Sequence, residues 1–250
     1  MPVLVGILRH PTLGVILFDT GFGVARKAER ALWWLLYGQL LRVHLSPLKN
    51  VLETAGVLIE EIAGVFISHF DPDHTGGLLE LPDVPVYCST AAWAEMRRFK
   101  SRNSIWRRNT GEALPPDLAA RIHLFEAGPL GTETDLLGDG SLEAISLPGH
   151  QPGHMGLCFK EADGSEVLLC GDAVWTMKEL RFKRWNSSLF VARNRRLAAA
   201  SQVWLAEKAK KEPDLLIVPS HCADTMDLLI GGGWRSQVKS GRESVDVQRA

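Results

Sequence analysis

A chain of 250 residues is long enough to form one large domain with a substantial buried core. Its 46% hydrophobic and 23% charged residues are ordinary for a globular protein, and a formal net charge of −1 gives no general case for nucleic acid as a partner. No stretch reaches the ~18 apolar residues of a membrane span. The opening MPVLVGILRH lacks the basic and apolar regions of a secretory signal, so a cytoplasmic location is expected.

Val3 to Leu8 and Val15 to Phe18 read as a strand pair around a turn at His10–Gly14, and the second strand runs into Asp19-Thr20-Gly21. Residues 23–56 form a helical region in which Ala31, Leu32, Leu35, Leu36 and Leu40 recur at near-helical spacing beside Trp33, Trp34 and Tyr37. Trp is costly to leave in water, so this insert packs on something: the domain, a second subunit, the substrate mouth or an interface. A homodimer through it is one expectation. Lys49 to Glu61 reads as the helix before the next strand.

That strand, Val65 to Ile67, stops at Ser68, and the next six residues carry His69, Asp71, Asp73 and His74. Pro72 and Gly76-Gly77 make the segment a turn. Two imidazoles and two carboxylates so close together are too costly to bury unpaired, and a divalent cation would accept all of them as ligands. Three further apolar strands end the same way. Leu142–Leu147 runs into Pro148-Gly149-His150, Val167–Cys170 into Gly171-Asp172, and Leu215–Val218 into Pro219-Ser220-His221. Strand ends share one edge in layered α/β architectures, so these residues are expected to meet at a metal site.

Between them lie a strand at Val84–Cys88 and a helix at Thr90–Phe99. Two basic segments follow, 97–108 and 178–184, the first interleaved with Phe99 and Trp106 and the second beside Trp175 and Trp185. Each is either a solvated face or a substrate loop for an anionic or amphipathic acyl group. Leu197–Lys211 reads as a helix, and 231–250 as a flexible tail after a domain spanning 1–230. Cys88, Cys158, Cys170 and Cys222 lack paired metal spacing, and Cys158 and Cys170 read as buried hydrophobes.

An HxDxDH block followed by GG, then PGHxPGH, then GD, then a late strand-end His resembles the metallo-β-lactamase superfamily of dinuclear metal hydrolases. The match runs over roughly residues 3–222. VILFDTG and the early HP turn are similar to its N-acyl-homoserine lactonase branch. The resemblance implies an α+β fold, a four-layer αββα sandwich, with two divalent metal ions at one edge, zinc first among the candidates. One ion would take His69, Asp71 and His150, the other Asp73, His74 and His221, and Asp172 would bridge them. Asp19 would support the site without ligating, as would His154.

The chemistry implied is hydrolysis of an ester or lactone by a hydroxide bridging the ions, with Asp73 and Asp172 as catalytic carboxylates. Two departures qualify it. Asp71 stands where most members have His, which biases the first site from zinc toward iron or manganese. Trp175 stands where the lactonase branch has a substrate-facing Tyr, and its indole N–H could donate to substrate. A phosphodiesterase, a di-iron oxidoreductase and a non-catalytic metal-binding member are the alternatives.

Overall fold

The structure is a computed structural model of the protein and describes residues 2–23, 46–100, 114–181 and 187–225. Among these, two five-stranded sheets lie face to face. The first has the order β1 (Gly6–His10), β2 (Gly14–Phe18), β3 (Ile62–Phe66), β4 (Val86–Ser89), β5 (Ile122–Phe125). Its β1–β2 hairpin is antiparallel and its other neighbours are parallel. The second holds β6 (Glu133–Asp135), β7 (Leu142–Ser146), β8 (Met155–Lys160), β9 (Glu166–Gly171) and β10 (Leu216–Pro219) side by side. There only β9 and β10 are parallel.

Alternation along the strands builds three apolar layers. In β2, Val15 and Leu17 face outward, with Val65 of β3, onto helices α1 (Leu48–Thr54) and α3 (Thr90–Lys100), where Leu52 and Met96 meet them. Ile16, Phe18 and Phe66 face inward onto Leu142, Ala144, Leu157 and Leu169 of the second sheet. On that sheet's far side Ile145, Leu168, Cys170 and Ile217 pack on Leu205. Leu205 belongs to α7 (Arg195–Lys211), which Asn194 caps by accepting the Leu197 N–H, and which ends in Lys208, Lys210 and Lys211, a charge that suits a helix C-terminus. The order helix, sheet, sheet, helix is therefore the expected αββα sandwich.

The inner layer is densest next to one edge. Phe18, Phe66 and Phe125 stack at centroid separations of 5.7 and 5.8 Å. Truncating Phe66 to Ala would cost about 3–5 kcal/mol. At this edge β2 and β3 end together, with Phe18 opposite Phe66, as do β9 and β10, with Pro219 opposite Gly171. The sheets are joined there by the Met155 N–H donating to the Ser68 carbonyl at 3.1 Å.

Two short strands, β5 and β6, and the one-turn helix α2 (Pro72–Thr75) were not anticipated; the Asp71–Thr75 segment was expected to be a plain turn. Pro72 has its fixed φ and missing N–H at the first helical position, where neither is a penalty. The short helices α4 (Leu118–Arg121), α5 (Met177–Arg181) and α6 (Ser187–Val191) complete the described α-helices, beside 3-10 turns at Ile59–Glu61 and Gly76–Glu80. Among the described residues no helix is long and apolar enough to cross a membrane. The Trp-bearing part of the insert, 24–45, and with it the dimer expectation, lies outside the described residues. So do 101–108 and 182–184 of the basic segments, and the tail 231–250.

Candidate metal centre

The seven residues expected as ligands meet at the shared strand edge. Ligand atoms of His69, Asp71 and His150, of Asp73, His74 and His221, and of His69, His74 and Asp172 each lie within 4.8 Å of one another. Local structure explains each placement. Asp71 stands at the N-cap of α2 but does not cap it. Its Oδ2 instead lies 3.1 Å from His150 Nε2 and 3.4 Å from His69 Nε2. One turn of α2 then aims Asp73 and His74 at the same space. Asp73 Oδ2 lies 3.5 Å from His221 Nε2 and 3.7 Å from His74 Nε2. The helix can sit so close because a Cβ on Gly76 would run into the Phe22 carbonyl.

Asp172 lies between the two groups. Its Oδ1 is 3.3 Å from His74 Nε2 and 3.2 Å from His221 Nε2, while Oδ2 is 3.6 Å from His150 Nε2. The carboxylate therefore faces both triads, and Oδ2 also lies 3.3 Å from His221 Nε2.

Behind the ligand atoms, most of the imidazoles are tied by their second nitrogen. His74 Nδ1 donates to Asp19 Oδ2 at 2.7 Å, and that oxygen also accepts the Ser68 hydroxyl at 2.7 Å. Asp19 Oδ1 accepts the Ser68 N–H at 2.8 Å. The Ser68 hydroxyl, donating to Asp19, accepts in turn from His69 Nδ1 at 3.0 Å. His221 Nδ1 donates to the Pro2 carbonyl at 2.8 Å. For these three the Nε2 lone pair is left facing the centre. His150 differs, since its Nδ1 has no hydrogen-bond partner among the described residues. Asp19 is fully buried with φ +56°, a left-handed conformation that Asp tolerates.

His154 faces the same centre but is fully engaged elsewhere. Its Nδ1 donates to the Leu147 carbonyl at 3.1 Å and its Nε2 accepts the backbone N–H of Asp172 at 3.0 Å. Burial, with His69 and His150 nearby, holds its pKa well below the ordinary value, so it is neutral. It positions the Asp172 backbone.

Charge balance at the centre is uneven. Burial pushes the Asp71 carboxyl up, but His150 and His69 outweigh it and hold the group well below the usual carboxylate range. Asp172 behaves likewise through His221 and His74. Burial pulls His74 down, yet Asp172, Asp73 and Asp19 together hold it well above its ordinary value. His150 and His221 are raised by the same facing carboxylates against burial, whereas burial and His74 keep His69 low. The set fits a divalent cation on a direct observation: among the described residues, His69 Nε2, His74 Nε2 and Asp172 Oδ1 are buried with no hydrogen-bond partner. Such atoms are rare in folded proteins because each carries its full desolvation cost.

The family model of the metallo-beta-lactamase superfamily matches residues 1–221. The chain belongs to the metallo-beta-lactamase superfamily. A protein named as a probable metallo-hydrolase from Mycobacterium tuberculosis is 27% identical over 238 residues, covering 86% of this chain and 73% of its own length. An N-acyl homoserine lactonase from a Bacillus species is 24% identical over 192 residues, covering 74% and 70% respectively. Among solved structures, an N-acyl homoserine lactone hydrolase with N-hexanoyl-L-homoserine bound at its catalytic metal centre aligns at a TM-score of 0.63 and 20% identity, over 91% of this chain and 93% of the other. A Staphylococcus aureus protein described as a metal-dependent hydrolase aligns at 0.65 and 15% identity, over 85% and 72%. At these identities the structures speak for the fold alone.

The Trp175 indole N–H, one that could donate to a substrate, here donates to Asp172 Oδ2 at 2.8 Å. The indole is long enough to fold back on a carboxylate three residues earlier, and its ring meets His221 edge-on at 5.5 Å. What remains for a substrate is the half-buried ring itself. Three positioning residues had gone unremarked. Ser68 links Asp19 to His69, and Gln151 donates its amide to Asp71 Oδ1. Glu179 accepts the Trp175 backbone N–H at 2.7 Å and the Ser188 hydroxyl at 2.8 Å. A small residue beside a His, and the middle of PGHQPGH, were signals for the first two. Glu179 had none.

Proposed function

We propose that this protein is a dinuclear metal-dependent hydrolase acting on an ester or lactone. The observation that carries the reading is the pair of residue triads around Asp172, in which His69 Nε2, His74 Nε2 and Asp172 Oδ1 are buried without a hydrogen-bond partner among the described residues. The names of its relatives support it: a metallo-hydrolase and an N-acyl homoserine lactonase. His69, Asp71 and His150 would hold one ion and Asp73, His74 and His221 the other, with Asp172 placed between the two groups. A bound pair of divalent cations supplies Lewis acidity and a water that ionises near neutral pH.

The chain's own residues then set orientation and proton traffic. Asp19, Ser68 and the Pro2 carbonyl hold three imidazoles with Nε2 inward. Asp71 and Asp73 are the two carboxylates of the centre with partly exposed side chains, 25% and 19%. They face the side from which substrate enters, and the Asp73 carboxylate, through the oxygen not turned to the imidazoles, is the acceptor for the proton released from attacking water. The Trp175 ring walls that entrance. The carboxylate of Asp71 is a harder ligand than imidazole, which favours manganese or iron over zinc in the first site. All four cysteines are free and buried, which suits the reducing cytoplasm we assign.

Metal content by mass spectrometry, followed by a panel of lactones, carboxyl esters and phosphodiesters assayed with zinc, manganese and iron, tests the reading. We expect two ions per chain and turnover of a lactone or ester. Turnover of phosphodiesters alone would replace the substrate class. Protein that takes up no metal and turns over nothing would reject the proposal.

A further inference from the structure

The PGHQPGH loop between β7 and β8 is fixed from both sides. A Cβ on Gly149, at φ +133°, would run into the backbone of Ala198 in α7, and one on Gly153, at φ +70°, into Ala92 of α3. The Arg193 and Asn194 N–H groups donate to the carbonyls of His150 and Gly149, both at 2.9 Å. Ser89 Oγ donates to the Gly153 carbonyl at 2.6 Å. Gln151 rides on this backbone with only 9% of its surface exposed. Its side chain points at Asp71, with Nε2 on Oδ1. A carboxylate can only accept, so the amide must present its NH2 group there.

The consequence lies on the other oxygen. A free carboxylate can offer a cation either oxygen or both. With Oδ1 held by the amide, Oδ2 is the oxygen turned to the imidazoles, 3.1 Å from His150 Nε2 and 3.4 Å from His69 Nε2. We propose that Gln151 is a positioning residue of the first metal site, which makes Asp71 a one-oxygen ligand where relatives of the resembling pattern carry an imidazole. Asp71 and Gln151 then form one functional pair, and changing either alone leaves the other mismatched. This rests on the two-ion reading above.

The test compares the unaltered chain with Gln151→Leu, Gln151→Glu, Asp71→Asn and the double variant Asp71→His/Gln151→Glu. Metal content after dialysis gives stoichiometry, and cobalt titration followed by visible absorption, with a competing chelator, gives the affinity of each site. Melting of the metal-free forms checks folding, and Gln151→Glu conserves size and shape. We expect both single Gln151 variants to keep the second ion and to bind the first about 10–100-fold more weakly, the usual effect of removing a partner behind a ligand. Gln151→Glu should be the weaker, since it sets two carboxylates against each other. The double variant should recover most of the loss, because the introduced carboxylate accepts from the outer N–H of the introduced imidazole.

First-site affinity unchanged in both Gln151 variants, with Asp71→Asn impaired, would overturn this inference while leaving the two-ion reading intact. A double variant no better than Gln151→Glu would overturn the pairing. Unchanged stoichiometry in Asp71→Asn, or no metal in the unaltered protein, would remove the two-ion reading and this inference with it.

Discussion

Asp19 touches no substrate and is expected to hold no metal, yet it should control both. Its carboxylate accepts three hydrogen bonds in full burial: the Ser68 N–H, the Ser68 hydroxyl and His74 Nδ1. Replacing it by Ala leaves three buried donors without an acceptor. At about 1–3 kcal/mol each, the loss approaches the whole stability of a typical domain, about 5–15 kcal/mol. Asp19→Asn is the sharper probe. Asn keeps the shape and accepts the left-handed backbone, so the fold should survive with a cost of about 1–3 kcal/mol from one mispaired donor.

Either orientation of that amide disturbs the metal centre. With its oxygen toward His74, its NH2 meets the Ser68 N–H and displaces the backbone that carries His69. With its NH2 toward His74, the imidazole must accept at Nδ1, so its proton moves to Nε2 and blocks the ligand atom. Both also remove the negative charge that raises the basicity of His74. We expect metal affinity to fall about 10–100-fold, measured by competition with a chromophoric chelator at neutral pH, while the melting transition of the metal-free form stays cooperative. Affinity within error of the unaltered protein would mean that Asp19 only caps its turn.

Two further predictions concern titration and thiols. In the metal-free protein, His74, His150 and His221 are raised, so their stabilisation is complete below the ordinary value of 6.5 and is lost as pH rises through their folded values. His69 and His154 are lowered, so their contribution is present above 6.5 and lost as pH falls through their folded values. Melting temperature of chelator-treated protein against pH should therefore peak near 6.5, and metal should abolish the alkaline decline; a metal-free curve that climbs through that limb would contradict it. Burial pushes Cys88 and Cys158 up to about 12, so neither should react with a thiol reagent at mildly alkaline pH until denaturant is added. Rapid labelling of the native protein at either position would show that its layer opens.

What the residues reveal in advance follows from where the information is local. Each strand that runs into the centre is apolar, ends on a small residue and is followed within a few positions by His or Asp, so their convergence on one edge could be read from the chain, and the sandwich from the resemblance. The strands β5 and β6 could not: IHLF and ETD are edge segments of only four and three residues, none of them buried, too short for a period to show. Their formation rests on pairing with β4 and β7. The roles of Asp19 and Trp175 show the same limit in the site. Nothing near Asp19 says that its oxygens will reach Ser68, 49 residues away. Nothing near Trp175 says that its N–H turns back onto Asp172 rather than outward. Gln151 was hidden as the variable position of a motif whose neighbours drew attention.

The pattern of satisfied and unsatisfied atoms indicates what the centre is built for. A fold selected for stability alone would pair both nitrogens of its buried imidazoles, as it does for His154. Here His69 and His74 are each secured at Nδ1 and left open at Nε2, and the one open oxygen of Asp172 faces the same point. In the metal-free protein these atoms meet only as ion pairs, His74 Nε2 and Asp172 Oδ1 at 3.3 Å, and the hydrogen bonds of Asp19 and Ser68 stop the groups from turning away to recover the cost of their incomplete hydrogen bonding. Such organised cost is expected of a site that is completed by what it binds. The same reasoning separates Asp71 from chance substitution. A carboxylate placed at random there would be solvated or would cap α2, whereas this one forgoes the cap, takes an amide on one oxygen and turns the other toward two imidazoles. Relative to an imidazole it removes one unit of positive charge from the filled centre, which weakens the pull on anions and favours a harder cation. Metal preference, more than fold or ligand geometry, is therefore where this chain should depart from its relatives.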